Sequence, residues 1–137
     1  MIQINLTNDD LLSPLHFSSL KGHTSVTELL LTYKATVNQQ AKSGLTPLYL
    51  ACLVGHKGVV ELLLTHHADV DNEDKEGWTP LHTACSKGYR NIAELLFKHK
   101  ANVNKRSKNG STPLNLACQN GHRDVVELLL AHHEDID

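Results

Sequence analysis

The chain repeats itself at an interval of 33 residues, and this period limits its fold more than any other property. Residues at the same position of successive repeats are called a column below. The clearest columns are Pro14, Pro47, Pro80 and Pro113; Gly22, Gly55, Gly88 and Gly121; Glu28, Glu61, Glu94 and Glu127; and Leu30, Leu63, Leu96 and Leu129. Such a period is the signature of stacked units that bury their apolar faces against one another.

Each repeat predicts a pair of helices followed by a polar turn. In the second repeat, Thr46 suits an N-cap and Pro47 the first helical position. Gly55 would end this first helix. Val59, Leu62 and Leu63 then give the apolar face of a second helix. Short extended pieces, 68–71 and 101–104, lead into the polar turns.

Motifs in each unit resemble the ankyrin repeat: TPLHTA at 79–84, IAELL at 92–96 and ANVN at 101–104. The resemblance implies an all-α repeat solenoid, an ankyrin stack of helix-turn-helix units with projecting β-hairpin loops. It covers one domain, 1–137, with repeats at about 11–40, 44–73, 77–106 and 110–137. Residues 1–10 are in phase with a leading partial hairpin.

Two columns depart from the family's pattern. The glycine usual after the second helix is replaced by Lys34, His67, Lys100 and His133. If the left-handed turn is retained, each replacement costs about 1 kcal/mol. The motif histidine is replaced by Tyr49 and Asn115, and we expect these changes to loosen the hydrogen bonds between successive hairpins.

Composition argues against several classes of protein. The 137 residues carry a net charge of −2, which gives no general attraction to nucleic acid or anionic lipid. The chain has neither a long apolar run nor a signal segment, so membrane insertion is not expected. Three cysteines do not suggest a disulfide framework. We expect an intracellular protein of the cytoplasm or the nucleus.

Cysteine and histidine are the residues most suggestive of chemistry, but both follow the repeat. The cysteines occupy one small-residue column, which predicts buried, inert packing. Most of the ten histidines are likewise spread one repeat apart, whereas zinc needs four converging ligands. Known catalytic motifs are missing, so we predict no catalytic residue, no metal, no cofactor and no enzyme. Exposed histidines would confer mild pH sensitivity.

Residues that vary between repeats are free for recognition, and the resemblance implies contacts at hairpin tips and on the concave side of the first helices. Trp78 is either an interface anchor or packing for the next hairpin. The candidates are Leu45, Tyr49, Leu53, Val54, Lys75, Trp78, Lys87, Arg106 and Lys108. The first four, Tyr49 included, would form an apolar patch or stack inside the array. The acidic turn 72–76 and the basic turn 105–108 would orient a partner or simply be solvated.

The predicted function is a non-catalytic module that binds a protein or peptide partner. The alternative is a targeting or regulatory segment of a larger, possibly enzymatic, multidomain protein. Nucleic-acid binding through Lys105, Arg106 and Lys108 is a lesser hypothesis, and a structural spacer is another. Neither end has an obvious polar cap, which suggests a segment of a longer array or self-association through the uncapped ends.

Overall fold

The computed structural model describes residues 1–132, and within them the chain forms eight helices in four pairs. The pairs, numbered as repeats one to four, are listed in chain order: α1 Pro14–Lys21, α2 Thr24–Thr32, α3 Pro47–Val54, α4 Lys57–Thr65, α5 Pro80–Lys87, α6 Arg90–Lys98, α7 Pro113–Gln119 and α8 Arg123–Ala131. None of these helices has the length and apolar character needed to cross a bilayer.

The first helix of each pair begins at the predicted N-cap. The side-chain oxygens of Ser13, Thr46, Thr79 and Thr112 each accept a hydrogen bond from the backbone N–H three residues later. A proline follows at the first helical position, where its missing N–H is not needed. The first three of these helices end at glycines with left-handed backbone, while α7 ends one residue earlier, at Asn120.

The helices pack in two layers. Successive first helices contact one another along α1, α3, α5 and α7, and successive second helices along α2, α4, α6 and α8. A continuous apolar core runs between the layers through Leu15, Leu48, Leu81 and the equivalent leucines of the second helices, Leu63 and Leu96. Each repeat therefore completes its core only with the help of its neighbours.

The left-handed turn of the family's pattern is retained after the second helices of the first three repeats, although none of them carries glycine there. Lys34, His67 and Lys100 have φ of 68°, 67° and 67° after the second helices. His133, the fourth residue of this column, lies outside the described residues. The predicted extended pieces do not become strands, since residues 1–132 contain turns but no β-strand between the helix pairs.

The three cysteines do not share one environment. Cys52 and Cys85 are fully buried free thiols, as predicted, and burial raises the pKa of Cys85 to about 12. The prediction was wrong for Cys118, which is exposed. The difference arises because the next repeat covers this column in the second and third repeats, and α7 has no such neighbour among the described residues.

Candidate protein-binding surface

Four loops project from the same edge of the stack, and their tips, called finger loops below, close with one common hydrogen bond. The N–H of Ala41 donates to the carbonyl of Leu45 at 2.9 Å, and the finger loops 74–78 and 107–111 repeat this bond at 2.9 Å. The turn at 8–12 closes in the same way at 3.1 Å. The backbone frame is therefore shared, and the fingers differ mainly in their side chains.

Asp74 organises the third finger loop. Its Oδ1 accepts hydrogen bonds from the backbone N–H groups of Glu76 and Trp78, at 2.8 and 2.9 Å. Its Oδ2 accepts the hydroxyl of Tyr49 at 2.9 Å. Burial raises the pKa of Tyr49 well above its ordinary value, and the Asp74 carboxylate adds to the effect, so the hydroxyl stays protonated as a donor. The carboxylate thus ties the finger to α3.

Tyr49 corrects two expectations at once. Its side chain is only 6% exposed, so it does not extend an exposed apolar patch of Leu45, Leu53 and Val54. It also does not loosen the link between fingers: where His16 donates from Nε2 to the carbonyl of Leu45 at 2.9 Å, Tyr49 reaches Asp74 instead. The longer phenol replaces a bond to backbone by a bond to a carboxylate.

The indole of Trp78 rests on the ring of His82, with ring centroids 5.9 Å apart and an angle of 29° between the planes. The Nδ1 of His82 accepts the backbone N–H of Thr79 at 3.0 Å. Its Nε2 must then carry the proton, and it donates to the carbonyl of Ser111 at 3.0 Å. Burial lowers the pKa of His82, which favours this neutral form. His82 therefore supports the indole and joins the third and fourth fingers.

A cleft of about 510 Å³ opens between these two fingers. It is lined by Tyr49, Asp74, Glu76, Trp78, Lys108 and Asn109. The fingers on either side are held together by a hydrogen bond from the N–H of Lys108 to the carbonyl of Glu76, at 2.9 Å, and by an ion pair between Lys105 and Glu73, also at 2.9 Å. The cleft offers an aromatic face, carboxylates, an ammonium and an amide on a fixed frame.

The structure brings three of the nine predicted residues together, since Tyr49, Trp78 and Lys108 line the cleft. The other six lie outside it. Leu45 and Leu53 are half-buried, Val54 is 38% exposed, and Lys75, Lys87 and Arg106 are exposed. Arg106 folds back on its own finger, where its Nε donates to the carbonyl of Gly110 at 3.5 Å.

Asp74 is the site residue that sequence reasoning missed. It shares a column with Asn8, whose Oδ1 accepts the N–H groups of Asp10 and Leu12 in the same way. A short polar side chain three residues before a turn glycine is the signal that would have identified it. Over the described part of the chain, no three histidine, cysteine, aspartate or glutamate side chains gather as metal ligands.

Comparison with known proteins agrees with this architecture. The family model for ankyrin repeats, three copies, matches residues 1–74 and again 60–137. Comparison with curated proteins gives no match. The two family matches together span the chain, and the paired helices, the fingers and the left-handed turns fit them, so the chain belongs to the ankyrin repeat family.

Proposed function

We propose that the chain is a non-catalytic module that binds a protein or peptide partner, with the cleft beside Trp78 at the centre of the interface. Ankyrin repeats are generally protein interaction modules. The observation that carries the proposal is the setting of Trp78: a half-buried indole, stacked on a fixed imidazole, at the edge of an open cleft. Tryptophan in such a setting is the residue type most enriched among interface hot spots.

The rigidity of the cleft supports binding. Asp74 and His82 fix the third finger by hydrogen bonds to α3, to its own backbone and to the fourth finger. A partner that docks here therefore orders few groups, and little conformational entropy opposes association. Asp74 has both oxygens engaged in bonds that hold the finger, which supports a structural over a catalytic role for this carboxylate.

The charges of the fingers favour a protein over a nucleic acid as the partner. Lys105, one of the three basic residues of the turn 105–108, is paired with Glu73. The cleft itself is lined by the carboxylates of Asp74 and Glu76 as well as by Lys108. A phosphate backbone would meet repulsion from these carboxylates, whereas a peptide with a basic side chain and a neighbouring acidic one would match both signs of charge in the lining.

The proposal is tested by replacing Trp78, the only tryptophan of the chain, with alanine. Proteins captured from lysate by the wild type should bind the variant at least about tenfold more weakly. Tyr33→Ala is the matched control, because Tyr33 is an aromatic residue 69% exposed on another part of the stack. Its partners should be unchanged.

Direct contact is then measured by the fluorescence of Trp78 while a captured partner is titrated in. A shift of the emission maximum that saturates with binding is expected. Partners that bind Trp78→Ala as tightly as the wild type would overturn the proposal, and so would a wild type that captures no protein.

A further inference from the structure

The cleft beside Trp78 combines an indole with an excess of carboxylates, and we propose that it binds an arginine side chain of the partner. This role rests on the proposed function and deepens it, since it names the chemistry of the peptide that the cleft accepts. Arginine is favoured over other side chains because its planar guanidinium lies on an aromatic ring and donates to carboxylates at the same time.

Three residues that break the pattern of their columns meet at this cleft. Tyr49 is the only tyrosine of its column, Asp74 the only carboxylate and Trp78 the only aromatic residue. They come from two repeats, and Asp74 holds them together by accepting the hydroxyl of Tyr49 and the backbone N–H of Trp78. The other finger loops close with the same backbone bond without these side chains, so what the three residues add is particular to this cleft.

The turn of the third finger does not need the negative charge of Asp74. Asn8, an uncharged residue of the same column, accepts the N–H groups of Asp10 and Leu12 on its Oδ1, at 2.9 and 3.0 Å. The Oδ1 of Asp74 accepts two N–H groups at the same spacing along the chain. Within the described residues its Oδ2 accepts only the Tyr49 hydroxyl, and a carboxylate oxygen has two lone pairs. One lone pair of Oδ2 is therefore available to a donor from a partner.

The charges of the lining favour a cation. Asp74 and Glu76 contribute two carboxylates and Lys108 one ammonium, which leaves an excess of one negative charge. Lys105 is already paired, and Lys75 lies outside the lining. Glu76 is exposed, and no ion pair within residues 1–132 includes it. A cationic side chain is therefore attracted to the cleft.

Trp78 supplies the surface on which the cation lies. Its indole rests on the ring of His82 at a centroid distance of 5.9 Å, and the part that stays exposed lines the cleft. The Nδ1 of His82 accepts the N–H of Thr79, so the supporting ring is neutral and places no positive charge behind the indole. Tryptophan attracts cations more strongly than the other aromatic residues do. A guanidinium stacked here directs its N–H groups to the Oδ2 of Asp74 and to the carboxylate of Glu76.

Two blocked tripeptides of nearly identical shape test the charge. One is acetyl-glycyl-arginyl-glycinamide, and in the other citrulline replaces arginine, so that a neutral oxygen stands in place of one guanidinium nitrogen. Trp78 is the only tryptophan, so its fluorescence and its indole N–H signal report binding to the free protein. At constant ionic strength the arginine tripeptide should saturate with a Kd of about 10 mM or below. The citrulline tripeptide should bind about tenfold more weakly, and a lysine tripeptide should lie between the two.

Three variants of the lining test the direction of the effect. Asp74→Asn removes a charge but keeps the acceptor for the turn, as Asn8 does, and should weaken binding of the arginine tripeptide about tenfold. Glu76→Gln, at an exposed side chain that holds no part of the fold, should weaken it about threefold and keeps the test decisive if Asp74→Asn does not fold. Lys108→Gln removes the competing ammonium and should strengthen binding about threefold.

Asp71→Asn is the matched control. The Oδ1 of Asp71 accepts the N–H of Asn102 at 2.9 Å, and Asn38 in the same column accepts the N–H of Asp69 in the same way at 2.8 Å. Asp71 is not part of the lining. The variant therefore loses one carboxylate from the chain without changing the cleft, and its affinity for the arginine tripeptide should stay within about twofold of the wild type. Circular dichroism should show that it is folded.

Several results would overturn the inference: no saturable binding of the arginine tripeptide, equal affinity for the citrulline or the lysine tripeptide, or equal losses in Asp71→Asn and the two carboxylate variants of the cleft. The titration needs no natural partner, so it is independent of the capture experiment. If Trp78→Ala loses captured proteins while no tripeptide binds, the proposed function stands and the assignment of arginine falls. Binding of the arginine tripeptide with unchanged capture by Trp78→Ala would support the preference of the cleft for arginine and overturn the proposed function.

Discussion

The middle repeats and the end repeats have nearly the same sequence in their core columns but bury different parts of it. The second and third repeats each have a neighbouring repeat on both faces, so Val59 and Cys85 are fully buried. The first repeat exposes Val26 and the fourth exposes Cys118, which occupy the same two columns. Burial among the described residues therefore depends on which neighbouring repeat a position faces.

The reactivity of the cysteines gives the largest expected contrast. Cys118 should react with a disulfide reagent at least about a hundredfold faster than Cys52 and Cys85, which need an opening of the stack before the reagent can reach them. Burial also raises the pKa of both inner thiols, to about 12 for Cys85, so that little thiolate is present. Absorbance of the released thiolate should show one fast thiol and two slow ones. Three equal rates would contradict the difference in burial between the fourth repeat and the middle repeats.

Truncation of valine tests the same contrast at the opposite end of the stack, by comparing the first repeat with the second. Val59→Ala removes two methyl groups from a fully buried site and should lower the free energy of unfolding by roughly 2–3 kcal/mol. Val26→Ala makes the identical change at a site 48% exposed and should cost about 0.5 kcal/mol. Urea denaturation measures both. Equal losses would mean that the first repeat is covered in solution.

Acid should lower the stability of the first repeat and of the third repeat by the same mechanism. His16 belongs to the first repeat and His82 to the third, yet both are fully buried because their column faces the following repeat. Burial lowers the pKa of each below the ordinary 6.5. The unfolded chain then binds protons that the folded chain does not, so stability is full above about pH 6.5 and falls as the pH drops below it.

Asparagine is the matched replacement for these histidines, because Asn115 keeps the reciprocal N-cap: its Oδ1 accepts the N–H of Thr112 at 2.9 Å, and the Thr112 hydroxyl oxygen accepts the N–H of Asn115 at 3.2 Å. In His16→Asn, His82→Asn the free energy of unfolding should fall less steeply between pH 6.5 and 5, as measured by denaturation at several pH values. A slope identical to that of the wild type would show that the two imidazoles do not limit stability in acid.

The sequence predicted the parts of the fold that each repeat determines locally. Thr46 and Pro47 identified the start of a helix and Gly55 its end, since each depends on backbone geometry within a few residues. The exposure of Cys118 could not be read from its column, because it depends on what lies beyond the fourth repeat. The bond between Tyr49 and Asp74 spans two repeats and breaks the repeated pattern, so periodicity concealed it.

Substitutions in the left-handed turns should have the smallest effect on stability, and we expect that effect to be the same in end and middle repeats. Lys34, His67 and Lys100 are exposed, with φ near 67° in the first, second and third repeats. Replacement by glycine removes the clash of Cβ with the following carbonyl but gives the unfolded chain more freedom. Each substitution should therefore raise the free energy of unfolding by about 0.5–1 kcal/mol.

The three gains should agree within about 0.3 kcal/mol, because the strain lies in one residue's own backbone and no neighbouring repeat contributes to it. Lys98→Gly, in the last turn of α6, is the control and should cost about 1 kcal/mol by helix propensity. Urea denaturation measures all four. A gain at His67 with none at Lys34 would show that even this turn is set by the repeats on either side, and that no part of a unit is independent of its position in the stack.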